Sequence, residues 1–215
     1  MKRIFLSLFF IGGLATAALA QSAQYQEVMT KQVGELDSVS TFTLDNMQQK
    51  ANTFERIAEA EKTQWLPYYY AAYCEVMTAF MQKDNSLKDP LANKAETNLD
   101  MAEALSPNNS EIACIRSLVA TVRLIVDPMN RGQKYGMESA KQLEQAKTYN
   151  PENPRTYLLK GESLYSTPEA FGGSKEKAKV MFERALEKFT AFKPESNIAP
   201  HWGEPRVRMF LSQYK

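Results

Sequence analysis

Apolar residues recur at three- and four-residue intervals along nearly the whole chain, and no long alternating run marks a strand. The pattern predicts an all-α chain with helices over 23–36, 44–61, 65–82, 90–105, 110–126, 130–149, 154–165, 174–192 and 204–213. The punctuation agrees with these breaks. Asp89-Pro90, Asp127-Pro128 and Asn153-Pro154 each place a capping side chain before a proline, which has no N–H to lose at a first helical position.

Many helices of similar length call for a search for repeats. In "KAETNLDMAEALSPNN", Ala95, Leu99, Ala102 and Pro107 stand at spacings of 4, 3 and 5. "SAKQLEQAKTYNP" repeats them with Ser139, Leu143, Ala146 and Pro151. "AKVMFERALEKF" supplies Ala178, Phe182 and Ala185, with Pro194 four residues late. A fourth copy through Phe54 and Ile57 is weak, with Lys50 at a small-residue position and Lys62 in place of proline. Small residues let a neighbouring helix come close, the large one fills the groove between helices, and proline ends the helix. This resembles the second helix of the tetratricopeptide repeat (TPR).

The first-helix half should follow each exit turn at a fixed distance. Six residues beyond Lys62, Pro107 and Pro151 lie Tyr68, Ala113 and Tyr157, and four further on lie Ala72, Ser117 and Gly161, all small. Asn109 and Asn153 both stand two residues after a proline, at the expected cap. The copies begin 44 and then 39 residues apart, against about 34 in a standard repeat. The excess falls between first and second helices, in "MQKDNSLKD", "DPMNRGQKYG" and "STPEAFGGS". The resemblance implies a TPR-like array of helical hairpins, an α-α superhelix. Its pairs would cover about 23–62, 65–107, 110–151 and 154–194, with a C-terminal cap over 195–215.

Beyond the repeat, "QWLPYYYAAYC", "SPNNSE", "NPENPR" and "FKPESNIAPHWG" resemble a group of exported TPR proteins of Gram-negative bacteria with no assigned reaction. They match that group's W-L-P-x-Y-Y opening, S-P-N-N-S-E turn and terminal P-x-W-G segment. "EAFGGSKEKAKVMFERAL" is similar to periplasmic TPR subunits of tripartite transporters, which handle small hydrophobic ligands.

The amino terminus changes where this array is expected to work. Lys2 and Arg3, an apolar stretch and Ala18-Leu19-Ala20 read as a signal peptide over 1–20, cleaved before Gln21, which makes the protein exported and periplasmic. Of 215 residues, 195 remain, enough for one domain with a substantial core. Losing Lys2 and Arg3 leaves 24 basic against 25 acidic residues, which gives nucleic acid no electrostatic footing. No later stretch is apolar for long enough to span a membrane. Cys74 and Cys114 lie in apolar helical surroundings and are expected as free, packed thiols.

Catalytic ingredients are missing. His201 is the single histidine, in a proline-rich "APHWGEP". H-E-x-x-H, C-x-x-C, G-x-S-x-G and glycine-rich phosphate loops are absent. The expectation is no enzyme, no metal site and no cofactor. Glu59, Glu61, Glu183 and Glu187, interspersed with Lys and Arg, read as a solvated face.

The TPR resemblance puts the first helices on the inside of the curve. The register then offers Tyr69, Tyr73 and Met77 from one pair, Cys114, Leu118 and Val122 from the next, and Leu158, Glu162 and Tyr165 from the third. Carboxylate-clamping TPR domains carry Lys, Asn and Arg there; here only Arg155 stands near, at the edge. An apolar row of this kind suits a protein or peptide partner, making the chain a scaffold or adaptor of the cell envelope. The alternative is a periplasmic binding protein for a small hydrophobic ligand serving a transport system. The row is equally open to being filled by residues 23–36 or by the segment holding Trp202.

Overall fold

Residues 23–36 and 42–214 are described in the computed structural model; the leader over 1–20 lies outside them. Nine helices follow one another among the described residues: α1 (23–34), α2 (Leu44–Ala60), α3 (Trp65–Met81), α4 (Lys88–Leu105), α5 (Ser110–Val126), α6 (Pro128–Tyr149), α7 (Pro154–Ser166), α8 (Lys175–Ala191) and α9 (Glu204–Ser212). Single 3-10 turns at Asn85–Leu87 and Glu169–Phe171 interrupt the longer connections, and the described residues contain no strand.

Short polar side chains set most helix starts, each accepting a hydrogen bond from an otherwise unpaired backbone N–H. Thr43 takes the N–H of Asn46, Asn109 those of Glu111 and Ile112, Asp127 that of Asn130, Asn153 that of Arg155, and Ser174 that of Lys177. One expected cap is corrected. Helix α4 begins at Lys88, so Asp89 and Pro90 lie inside its first turn, where a missing proline N–H costs nothing. Asp84 instead caps the preceding 3-10 turn through the N–H of Ser86.

From α2 to α9 each helix packs on the next, and α3, α5 and α7 also touch in sequence order. The repeated small-large-small positions are the contact points. Ala95, Leu99, Ala102, Ala178, Phe182 and Ala185 are wholly buried, and Ser139, Leu143 and Ala146 are buried too. Their counterparts Ala72, Ser117 and Gly161 are buried on the first helices. At Gly161 an added Cβ would sit 2.6 Å from a ring carbon of Phe182, so the crossing of α7 and α8 admits only hydrogen there. In the weak copy, Lys50 fills a small-residue position because its ammonium reaches across to Glu35 and to Gln32, 2.8 Å away, tying α1 onto α2.

Helix α3 is buried without interruption from Pro67 to Ala79, so it forms the axis of the molecule rather than an amphipathic surface helix. The chain after α8 has no regular structure from Phe192 to Gly203 before α9 begins.

Candidate functional site

The predicted row comes together from three helices whose N-terminal ends meet. Tyr69 of α3 donates to Glu111 of α5 at 3.2 Å, and Asn153 and Arg155 of α7 donate to the same carboxylate at 2.9 and 3.0 Å. Tyr69, Tyr73, Met77, Cys114, Leu118, Val122 and Leu158 are all buried, while Glu162 and Tyr165 are half-buried.

The chain's own C-terminal segment fills part of this row. Trp202 lies over Tyr73 with ring centroids 5.1 Å apart and planes at 30°, and its Nε1 donates to Tyr69 Oη at 2.8 Å. Tyr70 Oη donates to the carbonyl of Ile198 at 2.8 Å, and the Asn197 amide reaches Thr30 of α1 at 3.0 Å. Gly203, at φ 116°, turns the chain where a Cβ would strike Phe189 and Leu158 at 2.8 and 2.9 Å. Helix α9 takes the other end: Arg206 pairs with Glu162 at 2.6 Å, and Phe210 packs on Tyr165 and stacks on Phe182. Of the two fillings left open by the sequence, the Trp202 segment occupies the row.

Arg155 corrects its expected place at the edge. Its side chain is fully buried, with its guanidinium 5.0 Å from the ring of Phe192, 5.2 Å from Trp202 and 5.7 Å from Phe189. Only Nη1 has a carboxylate partner, Glu111; Nε and Nη2 have no hydrogen-bond acceptor although they are buried. Burial raises the Glu111 carboxyl above the usual carboxylate range, and Arg155 pulls it back down. Burial likewise pushes the Tyr69 hydroxyl well up, with Glu111 adding to the effect.

Sequence reasoning missed the buried carboxylate of Glu75 and the half-buried one of Glu111. Glu111 reads as an ordinary acidic residue in a first helical turn, and Glu75 has no helical-spacing partner. Cys74 and Cys114 are free, and burial pushes both thiols up, which leaves them protonated and inert. His201 is half-buried, its Nδ1 2.9 Å from the carbonyl of Ala199. Among the described residues no group of three or more His, Cys, Asp or Glu is placed to hold a metal ion.

Two open clefts, of about 280 and 290 Å³, lie between α4 and α6 above α5 and include none of the nine predicted residues. They share Arg116, which pairs with Glu96 and lies 2.8 Å from both Asp100 and Glu103. Besides the paired Arg116 they are lined by the charged side chains of Lys141, Arg123 and Lys134, which suits them poorly to a hydrophobic ligand.

No family model matches the chain, and no curated protein matches it. Among solved structures, the HusA haemophore from Porphyromonas gingivalis superposes with a TM-score of 0.80 at 42% identity, covering 89% of this chain and 92% of that one. The chain belongs to the HusA haemophore family. The likeness spans the helical array rather than one motif, so the fold that positions Tyr69, Tyr73 and Arg155 is a family property.

Proposed function

We propose that the mature chain is an exported, non-catalytic binding protein for a flat, largely apolar ligand of the haem class. The observation that carries this reading is 42% identity to a haemophore over 89% of the chain. The inner row supports it with the chemistry such a ligand needs: Tyr73 for ring stacking, apolar Met77, Leu118 and Val122 beside it, and a buried guanidinium. Export rests on the leader over 1–20. Among the described residues no helix is long and apolar enough to cross a membrane.

We read the array itself as TPR-like. The buried small residues at matched registers and the side-by-side α3, α5 and α7 support that reading. A second reading, as a scaffold for a protein partner, is favoured by one feature. The connections after α1, α3 and α7 expose Phe42, Leu87 and Phe171 (77% exposed), and the first turn of α6 exposes Met129 (87% exposed).

The test of the ligand reading is to mix mature protein with haem and separate it by gel filtration. Haem absorbance eluting with the protein peak is expected; haem eluting only in the small-molecule fraction would contradict it.

A further inference from the structure

The segment "FKPESNIAPHWG" crosses the inner row as a strap anchored through its second half, by Asn197, Ile198 and Trp202. Residues 193–197 are exposed, and only Ile198, Pro200, Trp202 and Gly203 are buried along it. Long connections without regular structure in a packed domain are uncommon and are often functional lids. What the strap inserts is a flat aromatic ring. The Trp202 indole lies 5.1 Å from the Tyr73 ring and 5.2 Å from the Arg155 guanidinium.

The fit is good in shape and incomplete in charge. An indole has one N–H and no acceptor, so it can donate to Tyr69 but can offer nothing to Arg155 beyond its π face. Arg155 Nε and Nη2 therefore stay buried without an acceptor, an arrangement that costs free energy wherever it persists. Glu111 supplies a single contact, at Nη1. A ligand bringing both a flat ring and a carboxylate would replace the indole on Tyr73 and also satisfy the two spare donors. It would approach Arg155 against the repulsion of Glu111, whose carboxylate Asn153 and Tyr69 already share.

We propose that Trp202 is a resident stand-in for the ligand, that binding lifts the 192–203 strap off the inner row, and that Arg155 then reads the ligand's carboxylate. This rests on the ligand reading above and adds to it the residue that selects an anionic ring system and the element that moves. Arg155 is thus a specificity residue, and Trp202 a competitor that holds affinity down until a better-matched ring arrives.

The experiment uses the mature chain with haem and with haem dimethyl ester, whose carboxylates are blocked. Hydrogen exchange is followed by mass spectrometry, and affinity by equilibrium titration. Exchange across 197–203 is expected to rise when haem is added. The ester should bind at least about tenfold more weakly than haem, and Trp202→Ala should bind haem more tightly than the unaltered chain. Haem binding with the strap equally or better protected, or haem and ester binding alike, would overturn the proposal and leave the ligand reading standing. Absence of haem binding by both the unaltered chain and Trp202→Ala would overturn the two together. The exchange and ester comparisons need no variant, so they decide the matter even if Trp202→Ala fails to fold.

Discussion

At the scale of the residue, burial of charge distinguishes this protein from a generic helical array. Glu75 is 1% exposed in the middle of α3, where Asn98 donates to it at 3.1 Å and the Lys94 ammonium lies 3.3 Å away. Lys94 and Asn98 also serve Glu55, at 2.7 and 3.3 Å, so two carboxylates compete for one cation. Burial pushes the Glu75 carboxyl from an ordinary 4.5 up to about 7, opposed by Asn98 and Lys94 and reinforced by Glu55. The folded chain therefore holds this proton more tightly than the unfolded chain does. Its stabilising contribution is full below about 4.5 and is lost as pH rises through about 7. Thermal melts of the unaltered protein should show Tm falling from about pH 5 to about pH 8 more steeply than in Glu75→Gln. Glu111 and Glu162, also raised by burial, are common to both chains and drop out of the difference. Parallel curves would show that Glu75 does not carry the effect.

At the scale of the element, caps and crossings can be separated by substitution. Asn109 caps α5, and its amide bonds only Ser106, at 2.9 Å. Asn153 caps α7 and also donates from its buried amide to Ser110 and Glu111, both at 2.9 Å. Losing a cap costs about 0.5–2 kcal/mol. Asn153→Ala should cost more than Asn109→Ala, since it also strips one donor each from Ser110 and the half-buried Glu111 carboxylate. Equal losses in denaturant unfolding would count against the Asn153 network. The crossing register is checked by Ala102→Lys, which forces a charge into a fully buried contact and should lower Tm by several degrees or prevent folding. Exposed Ala104→Lys on the same helix should leave Tm nearly unchanged; matching effects would remove the register.

These elements also show what the sequence could reveal. Ala95, Leu99 and Ala102 were legible because helix contacts repeat at helical spacing, and the same signal recurs at Ser139 and Ala178. Asn109 and Asn153 were legible because a cap is a local device read over four residues. Trp202 on Tyr69 was not, because 133 residues separate the partners and no periodicity links them. Arg155 and Glu111 escaped for a related reason. Each is an ordinary helix-start residue until α3, α5 and α7 bring their ends together.

At the scale of the whole molecule, the chain is a set of packed helices with its own C-terminal segment laid against α3 and α7, and it is akin to a haemophore over most of its length. Its thiols are buried and inert, its single histidine lies within the Trp202 strap, and its buried rings and guanidinium converge on one row.

The most direct measurement is an equilibrium titration of the mature chain with haem, read by the shift of the haem absorption band. The account predicts saturation at one haem per chain with a Kd of about 1 μM or tighter, some 8 kcal/mol of binding free energy. A linear, unsaturable rise matching haem in buffer would contradict it.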